Sequence, residues 1–275
     1  MPRIAILQMT TGIDPVANAD TIADAASRAA GEGGQMLFTP EMAGLLDRDR
    51  KRASQNIVPE RESPVVERVS RAAEDAGIWI SLGLPVLRED GRWANRALVF
   101  DDKGAVAGRY DKIHMFDVEL ASGESWRESA AYAPGQQVVT VDDTPVGRLG
   151  LTICYDIRFP ALFEELGRRT CDTIAIPAAF TVPTGKAHWH MLQRARAVEA
   201  SAFVVAAAQV GRHEDGRETY GHSLAIDPWG EVVLDMGGDR AGMQLCDIDL
   251  GRISEVRKQL PSLANKRDIP KSSAQ

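Results

Sequence analysis

Short apolar runs of strand length alternate along this 275-residue chain with segments of helical period, and that alternation limits the fold more than any single motif. Ile4-Ala5-Ile6-Leu7 is a first apolar run. Residues Asp14 to Ala30 then place Val16, Ala19, Ile22, Ala23, Ala26 and Ala30 at helical spacing, stop at Gly31, and lead to the run Met36-Leu37-Phe38. The pattern returns at Ser63-Pro64, a helix-start signal for Val65 to Ala76, with Gly77 as the expected cap before a strand over Ile78 to Leu84. Trp93 to Phe100 and Ala105 to Tyr110 predict a hairpin, and 136–142 with 146–153 a further strand pair. Beyond them the spacing predicts a helix over Pro160 to Arg169, a strand over Thr173 to Ile176, a helix from about Lys186 to Ser201 and a strand over Phe203 to Ala208. A hairpin over Tyr220 to Asp227 and Glu231 to Leu234, a strand over Met243 to Ile248 and a helix over Leu250 to Leu260 complete the series. Strands and helices in alternation, mixed with hairpins, predict a layered α/β fold with a mixed sheet. No linker or composition break divides the chain, so one domain over 1–275 is expected, its core ending near 250 and a polar, loose tail starting near Arg267.

A hydrophobic content of 44% supplies a sizeable core, and a net charge of -7 with no basic block argues against nucleic acid or an anionic membrane as partner. No apolar stretch approaches the roughly 18–20 residues of a membrane span, and MPRIAILQMT turns polar too soon to read as a secretion signal. The three cysteines, Cys154, Cys171 and Cys246, are far apart and lack CxxC spacing, which fits reduced thiols in a cytoplasmic enzyme.

Cys154 stands out among them. The apolar alternation of Leu149, Leu151 and Ile153 runs straight into Cys-Tyr-Asp, and Phe159-Pro160 then opens a helix. A sulfur at such a strand-to-helix turn is expected to meet backbone N–H groups and positive potential, which favour a thiolate. Glu41 in LFTPEMAG, Lys112 in RYDKIHMFD and Glu128 in SWRES also adjoin apolar strands or constrained turns. Taken singly they read equally well as solvated charges. Together they meet the needs of amide hydrolysis through a thiol: a base for the S–H proton, an acid for the leaving nitrogen, and positive charge for the oxyanion.

These three segments and GLTICYDIRFP resemble the signature regions of the nitrilase, or carbon–nitrogen hydrolase, superfamily. The resemblance continues through HWHMLQRARAVEA, VVAAAQVGRH, YGHS and DPWGEVV. It implies a four-layer αββα sandwich with mixed sheets, a Glu41-Lys112-Cys154 triad, Glu128 as a second glutamate, and the Tyr155 backbone N–H at the oxyanion. It also implies a homodimer, with larger homo-oligomers open, and neither metal nor organic cofactor. Within the superfamily the chain is most similar to the branch of deaminated glutathione amidases and omega-amidases. The expected reaction is hydrolysis of a carboxamide to acid and ammonia through a cysteinyl thioester. Deaminated glutathione is favoured by AAAQVGRHEDGRETYGHS, with α-ketoglutaramate, α-ketosuccinamate or a catalytically silent scaffold as alternatives. A carboxylated substrate calls for arginine, and Arg158 and Arg212 are the candidates. His188 and His190 do not share a helix face, and no third ligand stands at zincin spacing, so no metal is expected from them.

Overall fold

Capping residues set the helix boundaries. Asp14 accepts hydrogen bonds from the Val16 and Ala17 amides and opens α1 (Pro15–Gly31), with proline in the first turn. Asp49 caps the single-turn α2 (Arg50–Ala53) in the same way. Ser63 accepts from the Val66 amide ahead of α3 (Pro64–Ala76), which Gly77 closes at a φ of 60°. Prolines also lie in the first turns of α4 (Pro160–Arg168) and α5 (Val182–Ala200). Asp249 caps α6 (Leu250–Gln259), and α7 (Ser262–Asn265) follows. The α5 start is earlier than the sequence spacing predicts, because Pro183 marks it and Trp189 is buried about two turns in.

The computed structural model describes residues 1–119, 123 and 125–270; the last five residues of the expected loose tail lie outside the described residues. In chain order the strands are β1 (Arg3–Gln8), β2 (Met36–Phe38), β3 (Trp79–Leu87), β4 (Trp93–Phe100) and β5 (Val106–Asp111). Next come β6 (Asp117–Glu119), β7 (Ser125–Arg127), β8 (Thr140–Thr144), β9 (Gly147–Leu151), β10 (Thr173–Ala175) and β11 (Phe203–Ala206). The series ends with β12 (Val210–Arg212), β13 (Glu218–Tyr220), β14 (Leu224–Ile226), β15 (Val232–Asp235) and β16 (Gly242–Asp247).

Two six-stranded sheets result, ordered β16-β1-β2-β3-β4-β5 and β15-β14-β11-β10-β9-β8. In the first, β1, β2 and β3 are parallel, while β16, β4 and β5 join antiparallel. In the second, β9, β10 and β11 are parallel, while β8, β14 and β15 join antiparallel. The two sheets thus share one plan. The period of two in the strands builds the layers. Ile4, Ile6, Met36, Phe38 and Val99 point into the core between the sheets, against Leu149, Leu151 and Ala175. Their neighbours Ala5, Leu7, Leu37, Leu98 and Phe100 face the other way, into the core beneath α1 and α3. Helices α4 and α5 cover the second sheet through Leu162, Phe163, Leu166 and Trp189. The architecture is a four-layer αββα sandwich. Each of these large apolar side chains contributes on the order of 1.5–3 kcal/mol by leaving water.

Two hairpins escape the hydrophobic pattern: β6–β7 and β12–β13. Both are short and polar, and both rim the cavity described next.

Candidate active site

The carboxyl ends of the central strands in both sheets converge on a cavity of about 290 Å³, whose wall includes Glu41, Lys112, Glu128, Cys154 and Arg158. Glu41 follows β2 through Thr39 and Pro40, and the Thr39 hydroxyl ties this connection to β3 by donating to the Ser81 carbonyl at 3.0 Å. Gly83 on β3 is obligatory here, since a Cβ would run into the Pro40 carbonyl oxygen. Lys112 follows β5, Glu128 follows β7, and Cys154 follows β9.

Glu41 and Lys112 are buried, and their charges are matched. Lys112 Nζ donates to Glu41 Oε1 at 2.9 Å and reaches Glu128 Oε2 at 2.9 Å. Asn95 Nδ2 bridges the same two carboxylates, at 2.7 Å from Glu41 Oε1 and 3.0 Å from Glu128 Oε1. Backbone amides add to these contacts: Ala179 N donates to Glu41 Oε2 at 2.8 Å, and Phe116 N to Glu128 Oε2 at 2.7 Å. Burial pushes the Glu41 carboxyl up, but the Lys112 ammonium and hydrogen bonds from Lys112, Cys154 and Asn95 outweigh it and hold it below the usual range. Burial pulls the Lys112 ammonium down, and the charges of Glu128 and Glu41 reverse that, leaving it well above its ordinary value.

Cys154 opens a 3₁₀ turn over Cys154–Arg158 at a φ of 48°, in the left-handed region that non-glycine residues seldom adopt. Asp156 pins the turn. Its carboxylate is fully buried and accepts from Tyr110 Oη at 2.6 Å, the Ile153 amide at 2.9 Å and the His114 amide at 3.0 Å. The positive potential expected to favour a thiolate at this turn is outweighed by the surroundings. Burial and the neighbouring Glu41 charge push the Cys154 thiol well above its ordinary value, and Lys112 only partly opposes them. The 3₁₀ turn separates Cys154 in sequence from the start of α4 at Pro160. The thiol therefore rests protonated and directed at a carboxylate able to take the proton.

Arg158 stands in the wall above Tyr155 and Phe180, its guanidinium carbon 5.9 and 5.5 Å from their ring centroids. Among the described residues it makes no ion pair, meeting only His188 Nδ1 at 3.4 Å. Arg212 does not join it: it ends β12 opposite Glu218, exposed and off the cavity wall. Arg217 lines the wall instead, held by Asp215 Oδ2 at 2.8 Å and stacked 5.2 Å from the Trp126 ring. Asn95, Trp126 and Arg217 are site residues that sequence reasoning misses. Asn95 had one signal, as a lone amide at an inward-facing position of an apolar strand.

Comparison with known proteins agrees with this geometry. A family profile described as carbon–nitrogen hydrolase matches residues 3–258. A protein of Yersinia enterocolitica named deaminated glutathione amidase is 38% identical over 97% of this chain and 93% of its own length. The crystal structure of the Caenorhabditis elegans NitFhit protein superposes with a TM-score of 0.89 at 34% identity, over 97% of this chain and 65% of that one. An amidase from Nesterenkonia, solved as a Glu-to-Gln variant with acrylamide added to its active-site cysteine, superposes with a TM-score of 0.79 at 27% identity, over 95% and 98% of the two chains. The chain belongs to the carbon–nitrogen hydrolase family and is an amide hydrolase of the nitrilase superfamily.

Proposed function

We propose that the chain is a thiol amidase for deaminated glutathione, cleaving the amide that joins the oxo-acid to the peptide. The observation that carries this reading is Lys112 Nζ held 2.9 Å from a carboxylate oxygen of both Glu41 and Glu128 beside a buried, protonated Cys154 in the cavity wall. Glu41 takes the thiol proton, and the sulfur attacks the amide carbon. The Lys112 ammonium and the Tyr155 N–H stabilise the oxyanion as it forms. Glu41 returns the proton to the leaving nitrogen, the C–N bond breaks, and a thioester remains. Water, deprotonated by Glu41, then releases the acid and restores the thiol. Glu128 fixes Lys112. Arg158, stacked on aromatic rings, offers its guanidinium to a substrate carboxylate.

One chemical point amends the sequence reading. Deaminated glutathione has no primary carboxamide, so its leaving group is an amine. Ammonia belongs to the alternative substrates α-ketoglutaramate and α-ketosuccinamate.

The test compares kcat/KM for deaminated glutathione and α-ketoglutaramate, following peptide amine and ammonia separately. A higher value for deaminated glutathione is expected, and Cys154→Ala should abolish turnover. Preference for the ketoamide would make the protein an omega-amidase; no turnover of either would leave a silent scaffold. We further propose that the chain acts in the cytoplasm as a single hydrolase domain paired into a homodimer. In support, Met191 and Val198 lie exposed one above the other on α5, beside exposed Trp229, Val232 and Val233.

A further inference from the structure

The fold brings His190, on α5, against two residues remote in sequence: His222, ahead of β14, and Asp235, the last residue of β15. His190 Nε2 lies 2.9 Å from Asp235 Oδ2, and His222 Nδ1 lies 3.0 Å from Asp235 Oδ1. One ligand atom from each residue lies within 4.8 Å of the other two. Two imidazole nitrogens and a carboxylate oxygen form a donor set suited to a borderline divalent cation, above all zinc.

The backbone serves this arrangement at a cost. His222 has a φ of 54°, and it is held there by hydrogen bonds from Trp189 Nε1 to its carbonyl at 2.7 Å and from its amide to the Gly237 carbonyl at 2.9 Å. The Gly237 amide donates to Asp235 Oδ1 at 2.9 Å and orients the carboxylate, while the Tyr220 ring stacks on the His222 ring with centroids 4.5 Å apart. Such outer partners are what fix ligands around a metal. All three side chains remain a quarter to two-fifths exposed, so an ion has access, and none lines the catalytic cavity.

We propose that His190, His222 and Asp235 bind one Zn²⁺ per chain, with water as the fourth ligand. A tetrahedral ion with bonds of about 2.0–2.1 Å sets its ligands about 3.3 Å apart, so donor atoms that lie within 4.8 Å of one another draw together on the ion. Each neutral imidazole shifts its proton to the ring nitrogen facing away from the metal. The ion clips α5 to β15 and to the segment before β14, outside the chemistry.

Metal-free full-length protein carrying Cys154→Ala, which removes the competing cavity thiol, is titrated with Zn²⁺ against a chromophoric chelator. One bound equivalent and a raised Tm are expected, with no response to Mg²⁺ or Ca²⁺. Adding His190→Ala or His222→Asn, the latter tolerant of positive φ, should weaken binding by more than the roughly 10–100-fold that loss of an outer partner costs. In the otherwise native protein, His190→Ala should leave amidase kinetics and the metal-free Tm unchanged. Absence of a bound equivalent, or one that survives both substitutions, overturns the site.

Discussion

At Cys154 the proposed nucleophile is kept as a thiol by burial and by Glu41, so the reactivity proposed for it belongs to the pair rather than to the sulfur. Glu41→Gln should lower kcat/KM by about 10²–10⁴-fold, the usual worth of a positioned base, and slow alkylation of Cys154 by iodoacetamide in parallel. Unchanged alkylation would remove Glu41 from the role. Cys171 and Cys246, whose thiols burial pushes up to about 12, should stay unlabelled near pH 8. The Glu41–Lys112 pair also sets a pH signature. Glu41 is lowered in the fold, so its stabilising share is complete above the ordinary glutamate value of about 4.3 and drains as pH falls through the folded value. Lys112 is raised, so its share is complete below about 10.4 and is lost as pH rises through its folded value. Stability measured by denaturant melts should therefore be level with respect to this pair between about pH 5 and 10, with its acid fall blunted in Glu41→Gln. Cys154, Glu41, Lys112 and Glu128 were legible as candidates because the segments around them resemble the family's signature regions, while each taken singly read as well as a core thiol or a solvated charge. Asn95 was not, because a lone amide in WANRALVF does not announce its partners until the segments after β2 and β7 bring two carboxylates to it.

Among the elements, the connection after β2 has little room to spare. Gly83→Ala would drive a methyl group into the Pro40 carbonyl and displace Glu41, at a cost of about 1–3 kcal/mol for the overpacking. Activity should fall much further than stability, whereas Gly77→Ala, in open space at the end of α3, should touch stability alone. Assaying both variants beside thermal melts checks the distinction; equal loss of activity would refute it. The long elements were readable from period and caps, since α1 and α3 carry both signals. The β6–β7 and β12–β13 hairpins were not. Their residues, Asp117-Val118-Glu119 or Glu218-Thr219-Tyr220, are too few to show a period, and pairing rather than propensity makes them strands. The same limit explains the choice of Arg212: only the turn around Asp215 determines that Arg217 faces the cavity.

For the molecule as a whole, a charge placed on the exposed apolar face of α5 tests the proposed pairing. Val198→Glu should halve the mass found by light scattering while leaving each chain folded, and an unchanged mass would discard that face as the interface. The sandwich itself was legible as a layered α/β pattern, but which strands share a sheet was not, since short apolar runs carry no partner information. That pairing has a consequence for rate. Glu41 hangs from the first sheet and Cys154 from the second, so the gap a proton crosses is gauged by the filling between them, including Phe38, Val99 and Leu151. Leu151→Ala should cost about 2–5 kcal/mol by leaving a void, and should slow acylation at temperatures far below unfolding, as single-turnover kinetics would show. Evolution can thus retune this hydrolase from its dry interior, by altering the thickness of a spacer that never meets substrate.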